Sequence, residues 1–411
     1  MKLLHSALKK NLLAMFTLKG AEYLASFITL PYLLRVLGPE LYGTLTFYQV
    51  VMGYVVLFAD YGFPLTAPRD LAQSSEAEIP RVFSAVLGTR LALMAVGVAF
   101  VCGMVLLLPD GSGAELLLWM LPALIGGAMF PSWYFQGIQK MKYITILSVS
   151  ARCMGAAGVF LWVRGAQEVH WAAFFLAVPQ LIAGILALGL LLVRARRLFC
   201  RPSREMMRRE LVGGWSVFLS TLFMQAYTNG NLLILRFLTD DYVVGCYAAA
   251  HKFIEAVKGM LLPISNAVYP HVSQLAMQSR RQAVSFLRRM LMMVGGGMGA
   301  VSVAVCAGAE EIVFLLMGRV YPESVTILRI LSLVPFLVGM SNVLGIQTML
   351  AFRMQQSFQR IVMCSAVLNM GIVWWMILLW QGAGLAVTAV MVEGFVTLAM
   401  AVLLHRARLV V

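Results

Sequence analysis

Acidic side chains are scarce in this sequence, and long polar stretches are scarcer. Only 18 of its 411 residues are Asp or Glu, and charged residues of both signs make up 12%, about half the usage of an ordinary soluble domain. The longest segments between apolar runs are about 18 residues, too short to hold a catalytic or nucleotide-binding domain. No GxxxxGK[ST] phosphate loop is present, so an ATP-driven mechanism within this chain is excluded. HExxH, GxSxG and acidic loop clusters of the DxD type are also missing, and no enzyme activity is expected. The six cysteines (Cys102, Cys153, Cys200, Cys246, Cys306, Cys364) stand alone with no CxxC, which implies neither a metal site nor a disulfide framework. The five histidines are far apart in sequence, and no cofactor is expected.

What the chain has is hydrocarbon. Hydrophobic residues reach 61% and the mean hydropathy is +0.85. They come in runs of about twenty or more, long enough to cross about 30 Å of bilayer as helices. Blocks such as Leu181 to Val193 are apolar on every face, which argues against the alternation of a β-barrel. Twelve spans are expected, at 12–34, 42–62, 82–108, 114–136, 143–163, 170–193, 212–237, 243–267, 290–317, 324–350, 360–380 and 383–404. Of the 32 basic residues, 22 fall on one set of ends and loops. Four (Arg35, Arg164, Arg236, Arg319) fall on the other, and six lie inside spans. The crowded side is the cytoplasmic one, so both termini are expected in the cytoplasm. The same asymmetry accounts for the net charge of +14 without nucleic acid as a partner. The first run follows Lys9 and Lys10 with no small-residue cleavage site behind it, so it is expected to stay as an anchor.

The second half repeats the first. Leu34-Arg35-Val36-Leu37-Gly38-Pro39-Glu40-Leu41-Tyr42-Gly43 aligns with Leu235-Arg236-Phe237-Leu238-Thr239-Asp240-Asp241-Tyr242-Val243-Val244-Gly245, with one residue inserted. Six spans per copy is an even number, so the copies are parallel. The expected organisation is a six-helix lobe at 1–194, a basic cytoplasmic linker at 195–210 and a second six-helix lobe at 211–411. The linker carries arginines that also serve as an orientation signal.

Several stretches resemble one family. They are Leu30-Pro31-Tyr32-Leu33 leading into the repeat above, Asp60-Tyr61-Gly62-Phe63 with Arg69-Asp70 behind it, Pro131-Ser132-Trp133-Tyr134-Phe135-Gln136-Gly137, and Gly318-Arg319-Val320-Tyr321-Pro322-Glu323-Ser324. In this order they resemble the Wzx-type lipid-linked oligosaccharide flippases, in the superfamily of the MATE exporters and the lipid II flippase. The likeness is strongest over 1–200 and looser after 330. It implies an all-α polytopic membrane protein of two six-helix bundles forming a V with alternating access, in a bacterial inner membrane. The implied substrate is an undecaprenyl-pyrophosphate-linked repeat unit of O-antigen or a related surface polysaccharide, with H+ or Na+ as coupling ion and polysaccharide polymerases as partners. The rival readings are a cation-coupled MATE-type exporter and, from another class, a multi-span polymerase or glycosyltransferase. Short loops speak against the latter.

Ten ionisable residues fall within spans, each costing about 2.5–3.5 kcal/mol at the bilayer centre if it faced lipid. Six are basic (Lys19, Arg90, Arg152, Lys252, Lys258, Arg329) and four acidic (Glu22, Asp60, Glu255, Glu393). They must face one another or a wet lumen, and the basic excess suits a polyanion such as pyrophosphate. The basic six are the candidate substrate contacts. Glu22, Asp60, His251, Glu255 and Glu393 are candidates for coupling or charge tuning. Lys19 and Glu22, three apart, can neutralise each other. Asp60 and Arg90 lie near enough to a span end to reach water or headgroups instead, while Arg152 has no such escape. At about 100° per residue, Lys252, Glu255, His251 and Lys258 fall in one sector of about 120°, as a lumen-facing helix requires. Gly295 and Gly299 are expected at a close helix crossing, and Pro31, Pro122, Pro179, Pro263 and Pro335 to kink or loosen their helices.

Overall fold

The computed structural model describes residues 2–109, 111, 113–407 and 409, and side chains except those of 2–27, 227, 262, 263, 266 and 267. Lys19, Glu22 and the Pro263 ring lie outside the described side chains. No strand occurs among the described residues. The chain divides into two compact units, Met1–Leu233 and Ile234–Val411.

The first unit runs through α1 (Lys2–Asp60), α2 (Phe63–Gln73), α3 (Ile79–Leu107), α4 (Leu116–Met129), α5 (Ser132–Gly137), α6 (Met141–Trp162), α7 (Val169–Arg194) and most of α8 (Arg204–Leu238). The segments expected at 12–34 and 42–62 form α1, bent where Gly38 takes φ 73° and Pro39 restarts the helix. Tyr61 (φ 45°) and Gly62 (φ 80°) then break the chain between α1 and α2. A Cβ on Gly62 would sit 2.9 Å from Val217 of α8, so the break and α8 fit only with a glycine there. Tyr61 stacks on Phe218 at 4.9 Å, and the Tyr54 hydroxyl donates to the Gln225 carbonyl at 3.2 Å. These contacts are why compactness groups the first part of α8 with α1.

In this unit α4 packs along α7, α6 packs on α7, and α1 crosses both α4 and α6. The α4–α7 approach is set by Gly126, whose added Cβ would stand 2.1 Å from the Leu181 amide nitrogen. The Trp-Tyr-Phe stretch quoted above forms α5, a wedge in which Trp133 is fully buried against Phe83 at 5.3 Å. The segment after α7 is pinned to α3. The Ser84 hydroxyl donates to the Leu198 carbonyl at 2.8 Å and accepts from the Cys200 amide at 2.9 Å.

The second unit holds α9 (Asp241–Gly259), α10 (Leu261–Gln278), α11 (Arg280–Ala307), α12 (Ala309–Met317), α13 (Pro322–Leu331), α14 (Val334–Ser341), a π-helical stretch (Asn342–Leu350) and α15 (Gln355–Arg406). α9 packs on α13, α13 and α14 pack on α15, and α11 packs on α14. Gly295 and Gly299 do sit at that last crossing, against Met340 and Phe336. The turn expected at 380–383 is a break inside α15, where Gln381 takes φ 48°. The two copies of the repeat turn by different means. Gly38 uses a positive φ, whereas the Asp240 carboxylate caps α9 by accepting from the Val243 amide at 2.9 Å.

Every expected apolar segment is helical. Among the described residues, eight helical stretches are long and apolar enough to cross a membrane, and the α1 and α15 stretches each include a break. α8 and α9 are not among them, because polar groups interrupt their apolar runs: Gln225 and Thr228 on α8, and His251, Lys252, Glu255 and Lys258 on α9.

Candidate functional site

Inside the first unit, α1, α3, α4, α6 and α7 leave a cavity of about 390 Å³. Gln49, Asp60, Arg90, Ser148, Arg152 and Gln180 are among the polar side chains of its wall. Arg90 is only 3% exposed. Its guanidinium pairs with the Asp60 carboxylate and donates to the carbonyls of Phe130 (3.1 Å) and Gly127 (2.8 Å). Those carbonyls are at the C-terminal end of α4, where the regular helix bonds stop; Arg90 adds a second donor to each beside the Ser132 and Phe130 amides. Arg90 therefore does not reach headgroups, and Asp60 is held by Arg90 in place of snorkelling out. The pair is a clamp joining α1, α3 and α4 at the cavity edge. Arg152, from α6, is half-buried on the same wall. The structure thus brings Asp60, Arg90 and Arg152 around one space.

In the second unit α9 presents a charged face. Lys258 donates to Glu255 at 2.6 Å, and His251 Nε2 lies 3.5 Å from the same carboxylate. The His251 ring stacks on Tyr247 at 5.5 Å. Lys252 adds its charge to His251, and Glu393 of α15 lies within reach of the charges of Lys258 and Glu255. The one-sector arrangement holds because α9 is helical throughout this stretch. Glu393, isolated in sequence, joins the cluster. Arg329 is exposed on α13.

Sequence reasoning passed over Gln49, Ser148 and Gln180, which line the first cavity. An amide or hydroxyl amid hydrocarbon was their signal, since burying one unpaired is costly, but the sequence reading followed charge alone.

Apolar helices that gather buried charge around an internal cavity are the build of a membrane transporter. Comparison with known proteins agrees. A family model described as polysaccharide biosynthesis protein matches residues 8–276, and the chain belongs to that family. It is 31% identical over 408 residues, 98% of both chains, to a protein of Escherichia coli (strain K12) named "Putative O-antigen transporter". It is 28% identical to a Shigella dysenteriae protein of the same name, over 88% of this chain and 91% of that one. Among solved structures it shares its fold with the lipid II flippase MurJ in an inward closed conformation (TM-score 0.71, 11% identity, 96% and 87% of the chains). An inward-facing MATE multidrug transporter matches with TM-score 0.67, at 16% identity and 94% of both chains.

Proposed function

We propose that this chain is a flippase for a lipid-linked oligosaccharide, an O-antigen or related repeat unit carried on undecaprenyl pyrophosphate. The observation that carries the reading is the Arg90–Arg152 cavity, a cationic pocket walled by apolar helices in a chain related end to end to proteins named for O-antigen transport. Two arginines against one aspartate leave a positive balance, which fits a pyrophosphate diester and opposes the cationic drugs of a MATE-type exporter. Arg152 and the α9 lysines, Lys252 and Lys258, are the proposed substrate contacts, with Glu255 holding the lysines charged while the lumen is empty.

In this reading the lobes divide at 195–210, as the repeat requires, and both termini lie in the cytoplasm of a bacterial inner membrane. The substrate moves toward the periplasmic leaflet, where a polymerase consumes it. No chemistry is performed on it. Glu393, Glu255 and Glu22 are the intramembrane carboxylates proposed for coupling to H+ or Na+. Collapse of both gradients in sealed vesicles tests this, and undiminished transport would exclude ion coupling. The decisive experiment substitutes Lys252 and Lys258 by Ala, singly and together, and Arg152 by Gln. The double mutant and Arg152→Gln should lose surface glycan while inserting at normal levels. Full export in both would sink the proposal.

A further inference from the structure

A second opening in the first unit, apart from the Arg152 cavity, lies at the ends of α2, α3 and α8. Its volume is about 530 Å³, and its walls carry Arg69, Asp70, Glu78, Arg81, Arg209 and Glu210. Three cations face three anions, yet the charges are not paired off. Arg69 Nε donates to Asp70 at 3.0 Å. Glu78 is occupied by the Ser75 amide (3.0 Å) and hydroxyl (2.8 Å). Glu210 is partly buried and, among the described residues, has neither a hydrogen bond nor an ion pair. The charges acting on it are those of Asp70, which is of like sign, and Arg209. Burial first, and Asp70 second, push its carboxyl above the usual carboxylate range. Arg81 and Arg209 are exposed at the rim and, among the described residues, have no carboxylate in ion-pair distance.

The depth of the cleft follows from its neighbours. On α8, Val212 (71% exposed) and Trp215 (51%) turn outward just after Glu210, and on α2 Leu65 (68%) does so one turn before Arg69. Outward apolar side chains face lipid, and tryptophan favours the boundary with water. A charged cleft beside such an apolar fringe has the character of headgroup level.

We propose that this cleft binds a phosphate–ammonium zwitterion, the headgroup chemistry of a phosphatidylethanolamine, with the ammonium between Asp70 and Glu210 and the phosphate on Arg81 and Arg209. An ammonium offers three donors to the two carboxylates that repel each other inside the cleft, and guanidiniums match phosphate oxygens in a fork. Other occupants meet only half of the need. A simple anion suits the rim but is repelled by the interior. A divalent cation suits the two carboxylates but sits among three guanidiniums. A proton relieves Glu210 and leaves Arg81 and Arg209 unmatched.

The test uses the purified full chain in detergent, read by its thermal unfolding midpoint. Dioleoyl phosphatidylethanolamine should raise the midpoint saturably. The response should shrink stepwise through the mono- and dimethyl headgroups and vanish for phosphatidylcholine, which keeps the phosphate but offers no N–H. Phosphatidylglycerol, lacking the ammonium, should give none. Glu210→Gln should weaken the apparent affinity at least about tenfold, as expected for loss of a charge-assisted hydrogen bond. Arg81→Gln with Arg209→Gln, both exposed and without packing duties, should do the same and serves if the Glu210 variant fails to fold. Soluble O-phosphoethanolamine separates the sources: a full response assigns the site to a free solute, and none assigns it to lipid. An equal rise with phosphatidylcholine, or an undiminished response in the variants, would overturn the proposal. So would stabilisation by acid alone, with no response to any headgroup.

Discussion

Arg90 and Arg152 look alike in sequence, each a lone arginine in an apolar span, but their surroundings assign them opposite tasks. Arg90 fills three acceptors on two helices. Removing it leaves the Asp60 carboxylate without its charged partner and takes one of two donors from each carbonyl, at a cost of about 3–5 kcal/mol. Arg90→Met should lower the yield of folded protein, measured by size-exclusion chromatography in detergent, and Arg90→Lys should recover little because a single ammonium cannot replace the fork. Arg152→Gln should fold normally and fail in export. That difference was not legible in the sequence, because Asp60 and the two carbonyls are 30 to 40 positions away from Arg90 and meet it only through packing. Glu210 supplies a pH dependence at the same scale. Its folded form holds a proton more tightly than the unfolded chain, owing to burial and Asp70. Its contribution is therefore most favourable in acid and is lost as pH rises through the raised value. In lipid-free detergent, Glu210→Gln should flatten that part of the decline in thermal midpoint toward neutral pH; an unchanged slope would count against it.

At the scale of elements, the helices were legible because a run of about twenty apolar residues has few alternatives to spanning a bilayer. Their joints were less so. Pro131 ends α4 and starts the separate wedge α5, though the apolar run passes through without interruption. α15 continues across a break that looked like a loop. The two repeat turns align with one residue inserted and close by a glycine in one copy and an aspartate cap in the other, a difference that only backbone geometry reveals. The α4–α7 crossing yields a direct expectation. Gly126→Ala puts a methyl onto backbone atoms of α7 that have nowhere to move. Overpacking of this kind costs about 1–3 kcal/mol. The midpoint should fall, whereas Gly371→Ala, with nothing within 4 Å of the added Cβ, should hold or slightly raise it.

For the whole molecule, the distribution of arginine and lysine implies that Cys200 faces the cytoplasm, and its thiol is exposed. With the other five cysteines replaced, a membrane-impermeant maleimide should label it in inverted vesicles and not in intact spheroplasts; labelling in spheroplasts would reverse the orientation. The repeat made two halves legible, but not where compactness divides them, since the contacts of α8 with α1 leave no periodic signal. The π-helical stretch Asn342–Leu350 shapes the packing of the second half. There the Thr348 hydroxyl donates to the carbonyl five positions back, at Val343 (2.8 Å). A π turn accommodates one residue more than an α turn and is the form an insertion takes when a helix absorbs it. In an α-helix the same insertion would swing everything beyond it by about 100°. Widening the backbone at 342–350 confines that swing, so Val343, Leu344 and Met349 all stay buried in the second unit before the chain turns at 351–354.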